Sequence, residues 1–462
     1  MHLAVIGAGI AGVSLSAALL EMGFTITLFE RSPRAGGRMS ARILRGEGNV
    51  RSSCDHGAQY FTARHPGFQQ VVQSWMQRGW AVPWQGRVAS VVAAADASLA
   101  PAARLPLEHG VAPAVMATVP SPSTEHPPIQ HLEASEPRYV GTPEMTTPVR
   151  EELERLHSIA GAQFRWRPSH RLLHVRRVGR ADLVATAAEQ AEMASGNRLS
   201  GAPALPQETA PLRQGPGWLL DFELLGEGSA KRSLAFDGVV LAVPRPQFEV
   251  LFGAPPKGLS ADRSGAAPWV TPADPSGSPA EGCDVRRVED RNEAGTVPWP
   301  FPATWHHDWA RTRMQACWAL MLRYADPLSL PFDGLFCNDP RASWLCRNNS
   351  KPGRSTDECW VVHAAPAWSE AHLGADPGWI AEQLEAVLRA HGAPPAIGRE
   401  LHRWRHASCE GRAPRDAYWD PDTCIGVCGD WLAGGRVEGA WLSARVLAER
   451  IGETVSVRPS GL

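Results

Sequence analysis

Residues 3–6 form a short unbroken apolar run, whose length and lack of alternation predict a strand buried on both faces of a parallel sheet. Three spaced glycines follow in Gly7-Ala8-Gly9-Ile10-Ala11-Gly12. Residues 13–22 then read as a helix closed by Gly23, and residues 24–29 alternate into a second strand ending at Glu30. This is a compact βαβ opening. Further strands are predicted at 171–178, at 218–225, at 424–428, and at 236–244, where a turn leads into a buried strand stopped by Pro244. Helical periodicity marks 382–390 and an amphipathic stretch from 438 to 451.

Three stretches break this regular pattern. Residues 92–137, 191–216 and 253–302 are rich in Ala, Pro, Ser and Gly, a composition that predicts surface insertions lying away from the site. A length of 462 residues exceeds one ordinary core and predicts two interleaved domains.

Charge and cysteine content narrow the function classes. A formal net charge of −2 gives no electrostatic reason to expect nucleic acid or an anionic membrane surface as partner. The nine cysteines are scattered without a Cys-x-x-Cys pair, so reduced thiols in a cytoplasmic protein are expected, with no disulfide framework and no metal site. The first twenty residues are largely apolar, but they lack a basic start and carry the three glycines, so a strand–turn–helix is expected there and not a signal peptide. No other stretch is apolar enough to span a bilayer, and a soluble protein is expected.

The glycine motif carries the chemistry. In this pattern Gly7 allows the tight turn, Gly9 lets the backbone approach a pyrophosphate, and Gly12 lets the helix pack on the strand. Ile10 and Ala11 then open the helix whose positive N-terminus faces the phosphates. Glu30, eighteen positions after Gly12, is placed to accept hydrogen bonds from ribose hydroxyls, with Arg31 beside it. There is no second Gly-x-Gly-x-x-Gly and no redox-active Cys-x-x-Cys, so a separate nicotinamide domain is not expected and a substrate would approach the cofactor directly.

The following residues point to FAD. Gly36-Gly37-Arg38 resembles the second fingerprint of the glutathione-reductase-like FAD family that includes the amine oxidases, which implies that Arg38 lies near pyrophosphate and flavin. Gly429-Asp430 resembles the segment whose aspartate bonds the ribityl or pyrophosphate region of FAD in such proteins. Val437-Glu438-Gly439 would open a last helix aimed at the flavin pyrimidine. The binding implied is non-covalent.

A narrower resemblance rests on Asp55-His56-Gly57-Ala58-Gln59-Tyr60, residues 240–247, residues 360–364, and His402-Arg403-Trp404-Arg405-His406. These are similar to segments of renalase and its bacterial relatives, over most of the chain outside the insertions. The resemblance implies an FAD oxidase that converts isomeric dihydro-NAD(P) to NAD(P)⁺ while O2 becomes H2O2. It also implies that Gly57, Ala58 and Gln59 contact the cofactor, and that Gln59, Tyr60, Trp404, Arg405 and His406 line the substrate cleft. Arg405 would be available to an anionic substrate. His363, in an apolar strand, reads as structural.

The expected fold is α/β: a Rossmann-type FAD-binding domain (1–70, 160–247, 415–462) with a discontinuous α+β substrate domain (71–159, 248–414). Two alternatives remain beside the oxidase. One is an amine oxidase or desaturase of the same superfamily, although none of the four tyrosines sits just before the final helix as an aromatic cage would need. The other is a flavin-binding interaction protein without catalysis.

Overall fold

The first strand (β1, His2–Ile6) is buried along its whole length, and its side chains alternate between two cores. Leu3 and Val5 pack into one core, Ala4 and Ile6 into the other. The run without alternation therefore describes a strand covered on both sides. The protein is represented by a computed structural model that describes residues 1–45, 51–91, 128–179, 181, 216–226, 230–252 and 300–457.

β1 lies inside a six-stranded sheet of order Ala417–Asp420, Ile425–Cys428, Gly238–Leu241, β1, β2 (Thr25–Phe29), Phe164–Arg167. All neighbours are parallel except the antiparallel pair at the Ala417–Asp420 edge. The helix α1 (Ile10–Glu21) and the long C-terminal helix Val437–Val457 pack together on one face, where Val13, Leu15 and Leu19 meet Ala444, Leu447 and Ile451. The other face carries a three-stranded antiparallel meander, His170–Val178, Gly217–Leu224 and Lys231–Phe236. Aromatic residues fill the space beneath it, among them Trp218, Phe222, Phe248, Trp309 and Trp431.

A second, seven-stranded sheet runs in the order Gly398–Gly411, Thr312–Arg323, Cys359–Ala364, Ala342–Arg347, Gly334–Phe336, Val88–Val91, Ile129–His131. The helix Pro377–Arg389 covers one face through Ile380, Leu384 and Leu388. A hairpin of β3 (Ala41–Arg45) and β4 (Arg51–Asp55) meets this sheet at a small cluster of Leu44, Cys54, Met321, Cys359 and Val361.

Several expectations are corrected by the structure. The helix expected at 382–390 begins five residues earlier, because Asp376 caps it by accepting from Trp379 N–H at 2.8 Å and Pro377 occupies its first turn. The stretch 92–137 ends in an ordered strand, Ile129–His131, at the edge of the large sheet. The remainder of that stretch up to 127, and most of 191–216 and 253–302, lie outside the described residues. The expected domain limits do not follow the cores. The helices Pro66–Gln77 and Thr147–Ile159 bury Phe68, Val72, Trp75, Val149, Leu153 and Leu156 in the same core as β1, although most of that span was assigned to the substrate domain. Likewise Phe248, Trp305 and Trp309 belong to the core under the parallel sheet.

Candidate functional site

Close backbone approach defines the first part of the site. Gly7 has φ of +105°, and a Cβ there would lie 2.7 Å from Val243 Cγ1. A Cβ on Gly12 would lie 1.9 Å from the Gly7 carbonyl oxygen, so α1 can pack on the turn only with glycine at this position. Gly9 and Gly37 face one another: a Cβ on Gly37 would stand 3.3 Å from Gly9 Cα, and Gly36 N–H donates to the Ala8 carbonyl at 2.9 Å. The two glycine motifs therefore form one surface. Gly9 is the N-cap of α1 and no side chain caps the helix, which leaves the N–H groups of the first turn, at Ile10 and Ala11, directed at this surface.

Glu30 is fixed at the end of β2. Its Oε2 accepts from Ala8 N–H and its Oε1 from Ser32 N–H, both at 2.9 Å. One lone pair on each oxygen remains available to a ligand hydroxyl. Arg31 is half-buried just beyond the strand.

Arg38 joins three pieces of chain. Its guanidinium grips the Asp430 carboxylate through both terminal nitrogens, with Nη1 to Oδ2 at 2.8 Å. Its carbonyl oxygen accepts from Ala58 N–H at 2.8 Å, and a Cβ on Gly57 would lie 2.1 Å from that same oxygen. Gly429, whose N–H donates to Ser443 Oγ at 2.9 Å, delivers Asp430 from the end of the strand Ile425–Cys428. The Asp430 carbonyl then accepts from Gly435 N–H at 2.8 Å and closes the loop leading to Val437. Gly439 fits because a Cβ there would stand 2.3 Å from the Ala433 oxygen. The buried Glu438 turns its Oε1 to the backbone N–H groups of Arg64 and His65, at 2.7 and 2.6 Å, so this side chain braces the loop beyond β4.

Sequence reasoning missed the centre of this brace. Asp55 is buried, and its Oδ2 accepts from Lys351 Nζ at 3.2 Å and from Arg354 Nη2 at 2.6 Å, while Oδ1 accepts from Met145 N–H at 3.1 Å. Burial alone would raise the Asp55 carboxyl, but Lys351 and Arg354 outweigh it and hold the group below its ordinary value. Lys351 also donates to Gln59 Oε1 at 3.0 Å. Gln59 Nε2 in turn donates to the carbonyls of Asp55 and Gly57. Both amide donors of Gln59 are thus occupied by the main chain, so Gln59 shapes the Asp55–Tyr60 segment. Lys351 and Arg354 sit in a polar Asn-Asn-Ser-Lys-Pro-Gly-Arg run that reads as a surface loop, and their one signal was the rarity of lysine in this chain.

The strand Gly398–Gly411 forms a wall of rings. Trp404 stacks on His56 with centroids 4.9 Å apart, and His402 meets both His56 and Trp404 edge-on. The His56 carbonyl accepts from Trp404 Nε1 and from His363 Nε2, each at 3.0 Å. His363 thereby serves to orient the backbone, and Trp404 covers Gly57. The Nδ1 of His56 is buried without a partner among the described residues. Burial pushes His56 down to about 3 and His363, His402 and His406 down to about 4, with the nearby arginines Arg38 and Arg405 adding to the shift at His406. All four rings are neutral at pH 7. Arg42 bonds His402 Nδ1 at 3.1 Å and pairs with Glu400 at 2.9 Å. The Arg405 side chain has no hydrogen-bond or ion-pair partner among the described residues.

The structure thus brings Trp404 over Gly57 and His406 to the side of Arg38, together with His56 and His402, which sequence reasoning did not single out, while Arg405 is next to His406 in the same strand. Tyr60 faces a different set: its ring lies 5.8 Å from Trp84 and 5.9 Å from Trp344, with Arg138 at 5.7 Å over it. Burial raises its phenol above the ordinary value. Among the described residues no group of three His, Cys, Asp or Glu could hold a metal ion. No helix there is long and apolar enough to cross a membrane.

Residues 5–77 match a family model described as an NAD(P)-binding Rossmann-like domain. The whole fold is similar to several solved structures. A putrescine oxidase double mutant from a redesign of cofactor binding is 10% identical with a TM-score of 0.54, covering 97% of this chain and 98% of that one. The wild-type putrescine oxidase bound to putrescine has the same identity and TM-score, with coverage of 98% and 99%. An oxidoreductase from Methanosarcina mazei is 12% identical with a TM-score of 0.53, covering 97% of this chain and 100% of that one. At these identities the likeness shows a shared fold, a mixed α/β architecture with a Rossmann-like domain.

Proposed function

We propose that the chain is an FAD-dependent oxidoreductase holding its cofactor non-covalently, and more narrowly a renalase-like oxidase. Its substrate would be a small molecule such as an isomeric dihydro-NAD(P), and O2 would be reduced to H2O2. The observation that carries this reading is the Arg38–Asp430 pair, which ties two separate sequence motifs together where the Gly9 and Gly37 backbones meet.

The residues fit the cofactor. The surface of Gly9 and Gly37 has no side chain to obstruct a pyrophosphate, the uncapped start of α1 favours an anion, and Glu30 retains acceptor capacity for ribose hydroxyls. A bound flavin would supply a two-electron acceptor, its N5 taking the hydride. Arg38, Asp430, Gly57 and Ala58 would hold it.

Two features favour an anionic dihydropyridine substrate. Arg38 and Arg405 act on His406 and Arg42 acts on His402, while the carboxylates Asp430 and Glu400 are already paired with arginine. The neutral His402 and His406 can donate or accept hydrogen bonds but are too weakly basic to act as strong bases. Loss of hydride from a dihydropyridine creates an aromatic ring and needs no strong base, so positioning suffices.

An amine oxidase or desaturase is the second reading, favoured by the likeness to putrescine oxidase. Anaerobic stopped-flow reduction of the purified protein separates the two. Rapid bleaching by 6-dihydro-NAD(P) isomers, with peroxide formed on readmitting air, supports the first. Bleaching by diamines alone would replace it with the second, and a colourless protein that cannot be loaded with FAD would end both.

A further inference from the structure

Cys54 lies in β4 one residue before its end at Asp55, and Cys359 opens the strand Cys359–Ala364. They are 305 positions apart, yet their sulfurs stand 2.9 Å apart. This is within about 1 Å of the ~2.05 Å of a covalent S–S bond. Both residues are buried, in the apolar cluster with Leu44, Met321 and Val361.

The approach is held from outside the pair. Asn348 Oδ1 accepts from Asp55 N–H at 3.0 Å and Asn348 Nδ2 donates to the Ser53 carbonyl at 2.9 Å, so one side chain clamps the backbone on both sides of Cys54. The next residue, Asn349, accepts from Cys359 N–H at 3.3 Å. Adjacent asparagines thus fix both backbones.

We propose that Cys54 and Cys359 form a redox pair that hydrogen peroxide converts to a disulfide, stapling β4 to the seven-stranded sheet. One sulfur attacks a peroxide oxygen, breaks the O–O bond and becomes a sulfenic acid while water leaves. The second sulfur attacks the first, forms the S–S bond and expels the hydroxyl group, which leaves as water with the remaining thiol proton. Two thiols and one H2O2 give one disulfide and two waters, with two electrons passing from the sulfurs to the peroxide oxygens. Burial, with Cys359 beside it, pushes the Cys54 thiol up, so attack by Cys54 is slow at neutral pH and quickens as pH rises. The bond would lock the segment that begins at Asp55 and carries Gly57 and Ala58 to Arg38. It does not depend on the identity of the cofactor, since the oxidant is added.

The test treats the dithiothreitol-reduced protein with hydrogen peroxide, removes the excess, unfolds it in guanidinium with N-ethylmaleimide and maps the peptides. The expected result is one linked pair, the Cys54 and Cys359 peptides, an intact mass before alkylation lower by about 2 Da, and reversal by dithiothreitol. The melting midpoint of the wild type should rise on oxidation, and that of C54S/C359S should not. Recovery of both cysteines as maleimide adducts, a link to any other cysteine, or sulfinic acid at either position without a link would overturn the proposal. The peptide map uses the wild type, so it stands whether or not the variant folds.

Discussion

Arg38 and Asp430 lie 392 residues apart and share two hydrogen bonds in a half-buried fork. A charged pair of this geometry stabilises more than a neutral contact, and removing one partner leaves the other poorly solvated. Asp430→Asn should therefore fold with a stability loss of about 1–3 kcal/mol. On the proposed function it should also purify with much less flavin, read from the absorbance ratio of flavin to protein. Full flavin content with an unchanged melt would remove the pair from the site.

The glycines separate folding from binding. A Cβ on Gly12 meets backbone at 1.9 Å, whereas the nearest atom to a Cβ on Gly9 is Gly37 Cα at 4.0 Å. Gly12→Ala should be poorly folded by circular dichroism. Gly9→Ala should melt like the wild type but bind FAD at least about tenfold more weakly, a loss of about 1.4 kcal/mol. Glu30→Ala should likewise stay folded and lose flavin.

Two cations share the Asp55 carboxylate, so the two sides of the cluster are unequal. Asp55→Asn strands two buried positive charges and should cost about 3–5 kcal/mol. Lys351→Met leaves the Asp55–Arg354 pair intact and should cost about 1–2 kcal/mol, chiefly the bonds to Asp55 and Gln59. Denaturant midpoints of the two variants check the order. The folded Asp55 carboxyl is held below 3.8, so its stabilisation is present above that value and is lost as pH falls through the lower folded value.

The buried histidines act in the same direction over a higher pH window. His56, His363, His402 and His406 bind a proton in the folded state only near pH 3–4, but at about 6.5 when unfolded. Their stabilisation is complete above 6.5 and is lost as pH falls from there toward 4. Each contributes a slope of up to about 1.4 kcal/mol per pH unit across that window. His402→Gln should flatten the stability profile by one such proton, and an unchanged slope between pH 4 and 6.5 would contradict the neutral assignment.

His406 lies beside Arg38 and Arg405. On the proposed function, His406→Ala should slow flavin reduction in single-turnover mixing by about tenfold while FAD remains bound. Unchanged kinetics would assign His406 to packing.

The parts of the site carried by contiguous motifs were legible in the sequence. Gly7, Gly9 and Gly12 announce their backbone geometry through spacing alone, and β1, α1 and β2 follow from hydrophobic period. What depended on distant partners was hidden. Nothing local says that Lys351 is buried or that Asn348 holds Ser53 and Asp55. Gln59 was expected at the reaction centre, yet its amide is satisfied by Lys351 and two main-chain carbonyls. The helices Pro66–Gln77 and Thr147–Ile159 likewise reveal the core they share with β1 only through tertiary contacts.

The order of strands in the parallel sheet also has a consequence for synthesis. β1 is made first but stands between β2 and Gly238–Leu241, and the latter pairs with Ile425–Cys428. The ribosome must therefore release the chain through residue 428 before the sheet can close, and Arg38 waits for Asp430 over the same interval. Until then the apolar strand Gly238–Leu241 has an open edge that invites pairing with other chains, a hazard for which slow non-local assembly is known. Pairing with Ile425–Cys428 turns that exposed edge into an interior strand, so truncation near residue 420 should yield aggregate in place of a smaller folded unit.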